Sequence, residues 1–289
     1  MFDFHKPVID DYGWLKEVLD ATQPMSCEYA PGNLIGWCKH YGAEIAEIDG
    51  CLVSKIVNNN LFGFPKGYKW KKALSSIRDN FELPSFYGLT QEEKILLESE
   101  YPGEYNYYES RNSFDYIYLV SDLSELTGKK YHAKRNHISY FKKTYDWSFE
   151  PITQANIDEC IEINEKWFSL NVDKDPTGID AEREVLKLSF DNFELFGFVG
   201  ALLRADGEVI AFTFGEELNR NTFVTHFEKA YSDIRGAYPM INMLFASEIL
   251  SKKYKYVNRE DDVGSEGLRK AKLSYYPEIL LEKFTAVKI

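Results

Sequence analysis

The segment HFEKAYSDIRGAYPMIN, residues 226–242, gathers a histidine, a carboxylate, an arginine and a glycine where a strand is expected to meet a helix. On an extended Thr222–Ala230, the period of two places Val224, His226, Glu228 and Ala230 on one face. Glu228 is then a candidate general base, with His226 as its helper. Pro239 suits the first turn of a helix, and Gly236 lets the backbone turn sharply. Backbone N–H groups across Gly236, Ala237 and Tyr238, with Arg235 beside them, would favour an anion. The competing reading is an ordinary strand-to-helix turn with a solvated arginine. Asn242, further along the same segment, is taken as a substrate contact.

A second group lies in NREDDVGSEGLRKAKLSYYP, residues 258–277. Arg259, Glu260 and Asp262 are expected to bind substrate, although an acidic run is most often a solvated loop. On a helix from Gly267 to Tyr275, Leu268, Ala271, Lys272 and Tyr275 share one stripe at spacings of three and four. Lys272 therefore falls on the face that should be buried, where it either snorkels to water or meets an anion. Arg269 joins it as a candidate anion contact. A third group is KKYHAKRNHISYFKK, residues 129–143. At 100° per residue, Tyr131, Ile138, Phe141 and Tyr145 form an apolar stripe with Lys134 inside it and Arg135 at its border. Lys134 is expected to hold a phosphate or carboxylate, or else a buried acid.

Composition narrows the chemistry. The 289 residues carry formal net charge -12, yet residues 129–150 hold six Lys or Arg against two Asp or Glu. An acidic whole opposes non-specific nucleic-acid binding. The four cysteines, Cys27, Cys38, Cys51 and Cys160, lack metal-ligand spacing and read as reduced thiols. No metal site is expected. No GxSxG, HExxH, P-loop or GxGxxG pattern occurs. The longest near-continuous apolar run, Phe196 to Leu203, is far too short to span a bilayer, and no signal pattern opens the chain. A cytoplasmic location is expected.

The elements that must position these groups occur twice in the same order. Each half has an Asp-Gly hairpin signal, at Asp49-Gly50 and at Asp206-Gly207. Each follows with a helix (Trp70–Asn80; Pro239–Leu250), a short aromatic strand (SFYGLT; YKYVNRE), a helix ending in Tyr-Pro, and a closing strand (FDYIYLV; LLEKFTAVKI). Thr90 and Glu93 form a capping-box pattern, and Thr153 is a candidate N-cap. The shared order predicts a duplication of mixed α/β units, each a mixed, largely antiparallel sheet flanked by helices. The expected division is 1–121 for the first unit, 122–146 for a connecting basic helix, and 147–289 for the second, active unit.

The segments KKYHAKRNHISYFKKTYDWSFEPIT, EVIAFTFGEELNRNTFVTHFEKAYSDIRGAYPMIN and YKYVNREDDVGSEGLRKAKLSYYP resemble a bacterial family similar to the C-terminal catalytic domain of phosphatidylglycerol lysyltransferase. The resemblance covers residues 122–289 and, by order of elements, 1–121. It implies two tandem GNAT-like (acyl-CoA N-acyltransferase-type) units and a soluble acyl- or aminoacyl-transferase. The donor would be acyl-CoA or aminoacyl-tRNA, with no tightly bound cofactor. The acceptor would be a small molecule or lipid headgroup bearing an amine or hydroxyl. Similarity to GNAT enzymes suggests Tyr275 or Tyr276 as the acid for the leaving group. Their acyl-CoA loop, Gln/Arg-x-x-Gly-x-Gly/Ala, is departed from here: Asp233 takes its first position and Tyr238 its last. A non-catalytic tandem protein that binds an amino acid or small anion therefore stays open as the alternative.

Overall fold

In the computed structural model, which describes residues 2–171 and 176–289, the first helices are α1 (Tyr12–Thr22) and α2 (Pro31–Tyr41). They precede β1 (Ala43–Ile48), β2 (Cys51–Ile56), β3 (Leu61–Gly63), α3 (Trp70–Asn80), β4 (Ser85–Thr90), α4 (Gln91–Glu100), β5 (Tyr105–Glu109) and β6 (Asp115–Leu119). Next come α5 (Val120–Glu125), α6 (His132–Thr144), β7 (Trp147–Pro151), α7 (Ile157–Asn171) and α8 (Pro176–Asp191). The chain closes with β8 (Val199–Ala205), β9 (Glu208–Asn219), β10 (Thr222–Ala230), α9 (Ala237–Leu244), β11 (Tyr256–Asn258), α10 (Glu266–Leu273), β12 (Ile279–Leu281) and β13 (Lys283–Lys288).

Both Asp-Gly pairs make the expected hairpins. Asp49 and Gly50 have φ of 54° and 78°, Asp206 and Gly207 of 52° and 87°, as a two-residue type I′ turn requires. Thr90 caps α4: its hydroxyl accepts from the Glu93 N–H while the Glu93 carboxylate accepts from the Thr90 N–H. Helix α7 starts at Ile157 rather than at Thr153, because Asn156 folds back to accept from the Thr153 N–H at 2.7 Å.

Two mixed sheets result. One runs β1-β2-β3-β4-β13-β5, the other β12-β6-β11-β10-β9-β8-β7. Their plans agree. A hairpin (β1-β2; β8-β9) leads to a strand (β3; β10) that pairs parallel with the next (β4; β11), which pairs antiparallel with a further strand (β13; β6). The closing strands are exchanged, however. The first half's closing strand, β6, lies in the second sheet, and the C-terminal β13 lies inside the first.

This exchange makes the compact units discontinuous. Unit 1 comprises Met1–Tyr116, Glu260–Leu273 and Ile279–Ile289; unit 2 comprises Ile117–Arg259 and Ser274–Glu278. These bounds differ from the sequence division at 121 and 146. The expected helix from Asp122 to Tyr145 is also broken: Leu126 and Gly128 take left-handed φ of 50° and 83° between α5 and α6. Unit 1 is built on Val53, Phe62, Leu74, Ile77, Phe86 and Leu97, all fully buried. In unit 2, Phe190, Phe193, Phe198 and Phe214 pack ring against ring. Among the described residues no helix is long and apolar enough to cross a membrane.

Candidate active site

Strand β10 carries a bulge that decides the chemistry available to unit 2. Thr225 faces Gly215 and Phe227 faces Phe214, so His226 is the extra residue. The alternation therefore resets. His226 turns to Glu216, Nε2 to Oε1 3.0 Å, and packs against Phe198 at 5.5 Å between rings. Glu228, opposite Thr213, lies on the other face. The expected His226–Glu228 pairing is not formed.

On its own face Glu228 is held on both oxygens. Arg259, at the end of β11, donates to Oε1 at 2.8 Å, and the Asn242 amide on α9 donates to Oε2 at 3.1 Å. The Glu228 and Arg259 side chains are only 10% and 13% exposed, so this is a largely desolvated ion pair. The Asn242 orientation leaves its buried carbonyl oxygen without a hydrogen-bond partner. The Tyr275 ring centroid lies 5.1 Å from the Arg259 guanidinium carbon and 3.8 Å from Lys134 Nζ. Lys134 also donates to the Ser274 hydroxyl at 2.8 Å. Burial first, and then the Arg259 charge, lower the Lys134 pKa to about 8, although Glu228 works the other way. Burial raises the Tyr275 phenol, which stays protonated and able to donate.

The remaining unit 2 candidates have structural partners. Gly236, at φ 95°, is needed because a Cβ there would lie 2.5 Å from the His137 carbonyl oxygen and 2.9 Å from Phe141 Cβ. The close approach is to α6. Arg235 donates to His137 at 3.3 Å and lies 4.5 Å from the Tyr140 ring. The Ala237 N–H donates to the Ile234 carbonyl at 3.1 Å, and burial raises the half-buried Tyr238. Arg135 donates to the carbonyls of Leu126 and Gly128, securing the end of α5. Tyr276, exposed and at φ 54°, stands edge-on to Tyr131.

Unit 1 holds the other candidates. Fully buried Asp262 accepts from Arg269 at 2.8 and 2.9 Å, Arg111 at 3.2 Å, Tyr116 at 2.5 Å and the Gly264 N–H at 2.9 Å. Burial opposes its charge, but these donors, Arg269 and Tyr116 foremost, hold it well below the usual carboxylate range. Glu260 accepts from Asn33 at 2.8 Å. Lys272 is buried as expected, but its ammonium donates to the Asp261 carbonyl. Half of the expected stripe is buried: Lys272 and Tyr275 are, and half-buried Arg269 reaches Asp262, whereas Leu268 and Ala271 are exposed. Buried acceptors at 261 and 262 outweigh the apolar preference there.

A cluster that the motifs did not indicate also lies in unit 1. Lys283, fully buried, donates at 2.6 Å to both Glu28 oxygens and to Asp115. Burial works against its charge, yet Asp115 beside it keeps its pKa well above the ordinary value. Cys27, Glu28 and Asp115 lie close enough for their ligand atoms to hold a metal, but the ammonium stands among them. The available signal is a charge next to a phenylalanine at the start of each closing strand, Asp115 after Phe114 in FDYIYLV and Lys283 before Phe284 in LLEKFTAVKI.

Residues 21–287 match the family described as phosphatidylglycerol lysyltransferase, C-terminal. The chain belongs to that family. A conserved protein of unknown function from Bacteroides thetaiotaomicron is 36% identical with full coverage of both chains and a TM-score of 0.91. The L-PGS from Bacillus licheniformis shares the fold at 14% identity and TM-score 0.67, covering 98% of this chain and 93% of its own. A Mycoplasmoides gallisepticum protein, MYCGA3080, is 25% identical over 212 residues, 71% of this chain and 65% of its own length, so the match spans just under two thirds of that relative. Within the phosphatidylglycerol lysyltransferase C-terminal family, this chain therefore sets a Glu228–Arg259–Asn242 cluster beside Lys134 and Tyr275 in unit 2.

Proposed function

We propose that the protein is an aminoacyltransferase of the bacterial cytoplasm, moving an aminoacyl group from aminoacyl-tRNA to a hydroxyl or amine acceptor at the unit 2 cluster. The observation that carries this reading is half-buried Lys134, held over the Tyr275 ring and beside a desolvated Glu–Arg pair, where burial lowers its pKa to about 8. Transfer needs a base for the attacking hydroxyl, a cation for the carbonyl oxyanion and an acid for the leaving ribose oxygen. Neutral Lys134 accepts the acceptor's proton as its oxygen bonds to the ester carbonyl carbon. Arg259 faces the negative charge that develops on the carbonyl oxygen. Collapse expels the ribose oxygen, which takes a proton from Lys134 or from the Tyr275 phenol. Glu228 and Asn242 act as positioning residues: Glu228 holds the guanidinium and Asn242 holds the Glu228 carboxylate.

The start of α9 favours aminoacyl-tRNA over a CoA thioester. A pyrophosphate there would need open N–H groups and room above Gly236. That room is filled by α6, and the Ala237 N–H is already bonded. The family's description makes the headgroup of phosphatidylglycerol the first acceptor to test. The test is transfer of radiolabelled amino acid from charged tRNA to that lipid or to small alcohols and amines, with acetyl-CoA as the rival donor. Transfer from tRNA that falls sharply in Lys134→Met and Tyr275→Phe supports the reading. Acetyl transfer alone would overturn it, as would calorimetric binding of free amino acids with no turnover, which is the sensor alternative.

A further inference from the structure

The proposed chemistry leaves unused a buried imidazole and carboxyl group on the face of the sheet that Glu228 turns away from. His226 on β10 and Glu216 on β9 meet at 3.0 Å, with side chains only 3% and 2% exposed. Across the ladder Glu216 faces Val224, two places before His226. Their bond therefore runs back over the bulge and ties its extra residue to the neighbouring strand. The backbone at this place is tightly fitted as well. Gly215 faces Thr225, and a Cβ on it would fall on the Val224 carbonyl oxygen, so the bulged strand presses on β9 where only glycine gives room. The Phe198 ring closes over the imidazole at 62°. Two residues beyond His226, Glu228 points to the opposite face, where Arg259 and Asn242 hold it.

We infer that the His226–Glu216 pair is a positioning device, a clamp on the bulge that aims Glu228 at Arg259; the inference rests on the unit 2 cluster being the reaction centre. A one-residue slip exchanges the two faces of a strand. Slipped at the bulge, Glu228 would turn into the rings of Phe190, Phe198 and Phe214, and Phe227 would turn towards Arg259. Beyond the bulge only residues 227–230 of β10 pair with β9. The clamp adds a fixed point at the bulge itself. Packing alone does not account for it, because two polar side chains are costly to bury and apolar ones of the same shape would fill the space. Fixing a register is the best-attested use of such a buried pair.

The test uses the full chain and replaces both partners together, His226→Phe/Glu216→Leu, so that no buried carboxyl group loses its donor. His226→Gln, which keeps an N–H for Glu216, is the rescue, and urea denaturation checks that each variant folds. Glu228 raises the Lys134 pKa against burial and the Arg259 charge. An NMR titration of the Lys134 side chain therefore reports where the Glu228 carboxylate stands, whether or not the protein transfers anything. The expected result is a lower Lys134 midpoint in the double variant and a midpoint near wild type in His226→Gln. In parallel, kcat for aminoacyl transfer should fall at least about tenfold with little change in KM. Glu228→Gln should slow the wild type yet add little in the double variant, although residues 226 and 228 lie on opposite faces. A folded double variant with wild-type Lys134 titration and kcat would overturn the clamp. If the double variant does not fold, Glu216→Gln, which weakens the pair without changing its shape, carries the same comparison. A lowered Lys134 midpoint in a protein that transfers nothing even as wild type would support the clamp and overturn the transferase reading.

Discussion

Two side chains carry pH dependences of opposite meaning. Lys134 is lowered to about 8, chiefly by burial, so its neutral, proton-accepting form grows as pH rises through that value. Wild-type kcat/KM for aminoacyl transfer should climb through pH 8. Lys134→Arg, which stays charged, should lose the climb and at least about a hundredfold in rate; an unchanged profile would remove Lys134 from proton transfer. Asp261 is raised to about 7 by burial, with Glu260, Asp115 and Glu28 adding to the effect and Lys283 opposing it. A folded pKa above the unfolded value gives stability that is complete below about pH 4 and lost as pH rises towards 7. Asp261→Asn should therefore be the more stable protein at pH 8, by on the order of 1 kcal/mol, and should match wild type near pH 4. Urea denaturation at both values measures this. The buried stripe position of Lys134 was legible at 100° per residue. Its partner was not, because Ser274 and Tyr275 come to it from a distant part of the chain.

At the scale of elements, local chemistry set most boundaries and failed where neighbours intervened. The Asp-Gly turns and the Thr90–Glu93 box need only adjacent residues, and they stand where the sequence places them. The bulge at His226 does not: nothing in THFEKA signals an extra residue, so a strict period of two set His226 beside Glu228 when the sheet separates them. The N–H groups across Gly236, Ala237 and Tyr238 are expected to face an anion, but the neighbour of Gly236 is α6. Two glycine substitutions distinguish backbone strain from crowding. Gly207→Ala meets nothing within 4 Å at φ 87° and should cost about 1–2 kcal/mol from the left-handed backbone alone. Gly236→Ala adds a collision with the His137 carbonyl and should cost about 2–4 kcal/mol. Equal losses in chemical denaturation would show that α6 yields readily.

At the scale of the molecule, the exchange of closing strands governs what can fold alone. A fragment 1–121, a unit by sequence order, lacks β13, which pairs with β4 on one side and β5 on the other. It also strands Asp115 and Glu28 without Lys283. That fragment should show no cooperative unfolding transition, and Lys283→Met in the full chain should cost about 3–5 kcal/mol by leaving buried carboxylates uncompensated. A fragment that unfolds cooperatively with protected amides in β4 and β5 would contradict this. The sequence by itself determined the doubled order of elements, the hairpins, the family resemblance and the half-buried setting of Lys134, because those depend on period, turn chemistry and composition. Only the tertiary structure decided which sheet each closing strand joins, which face Glu228 takes and which charges neutralise one another. Strand partners and ion pairs form between residues far apart in sequence, and local periodicity holds no record of them.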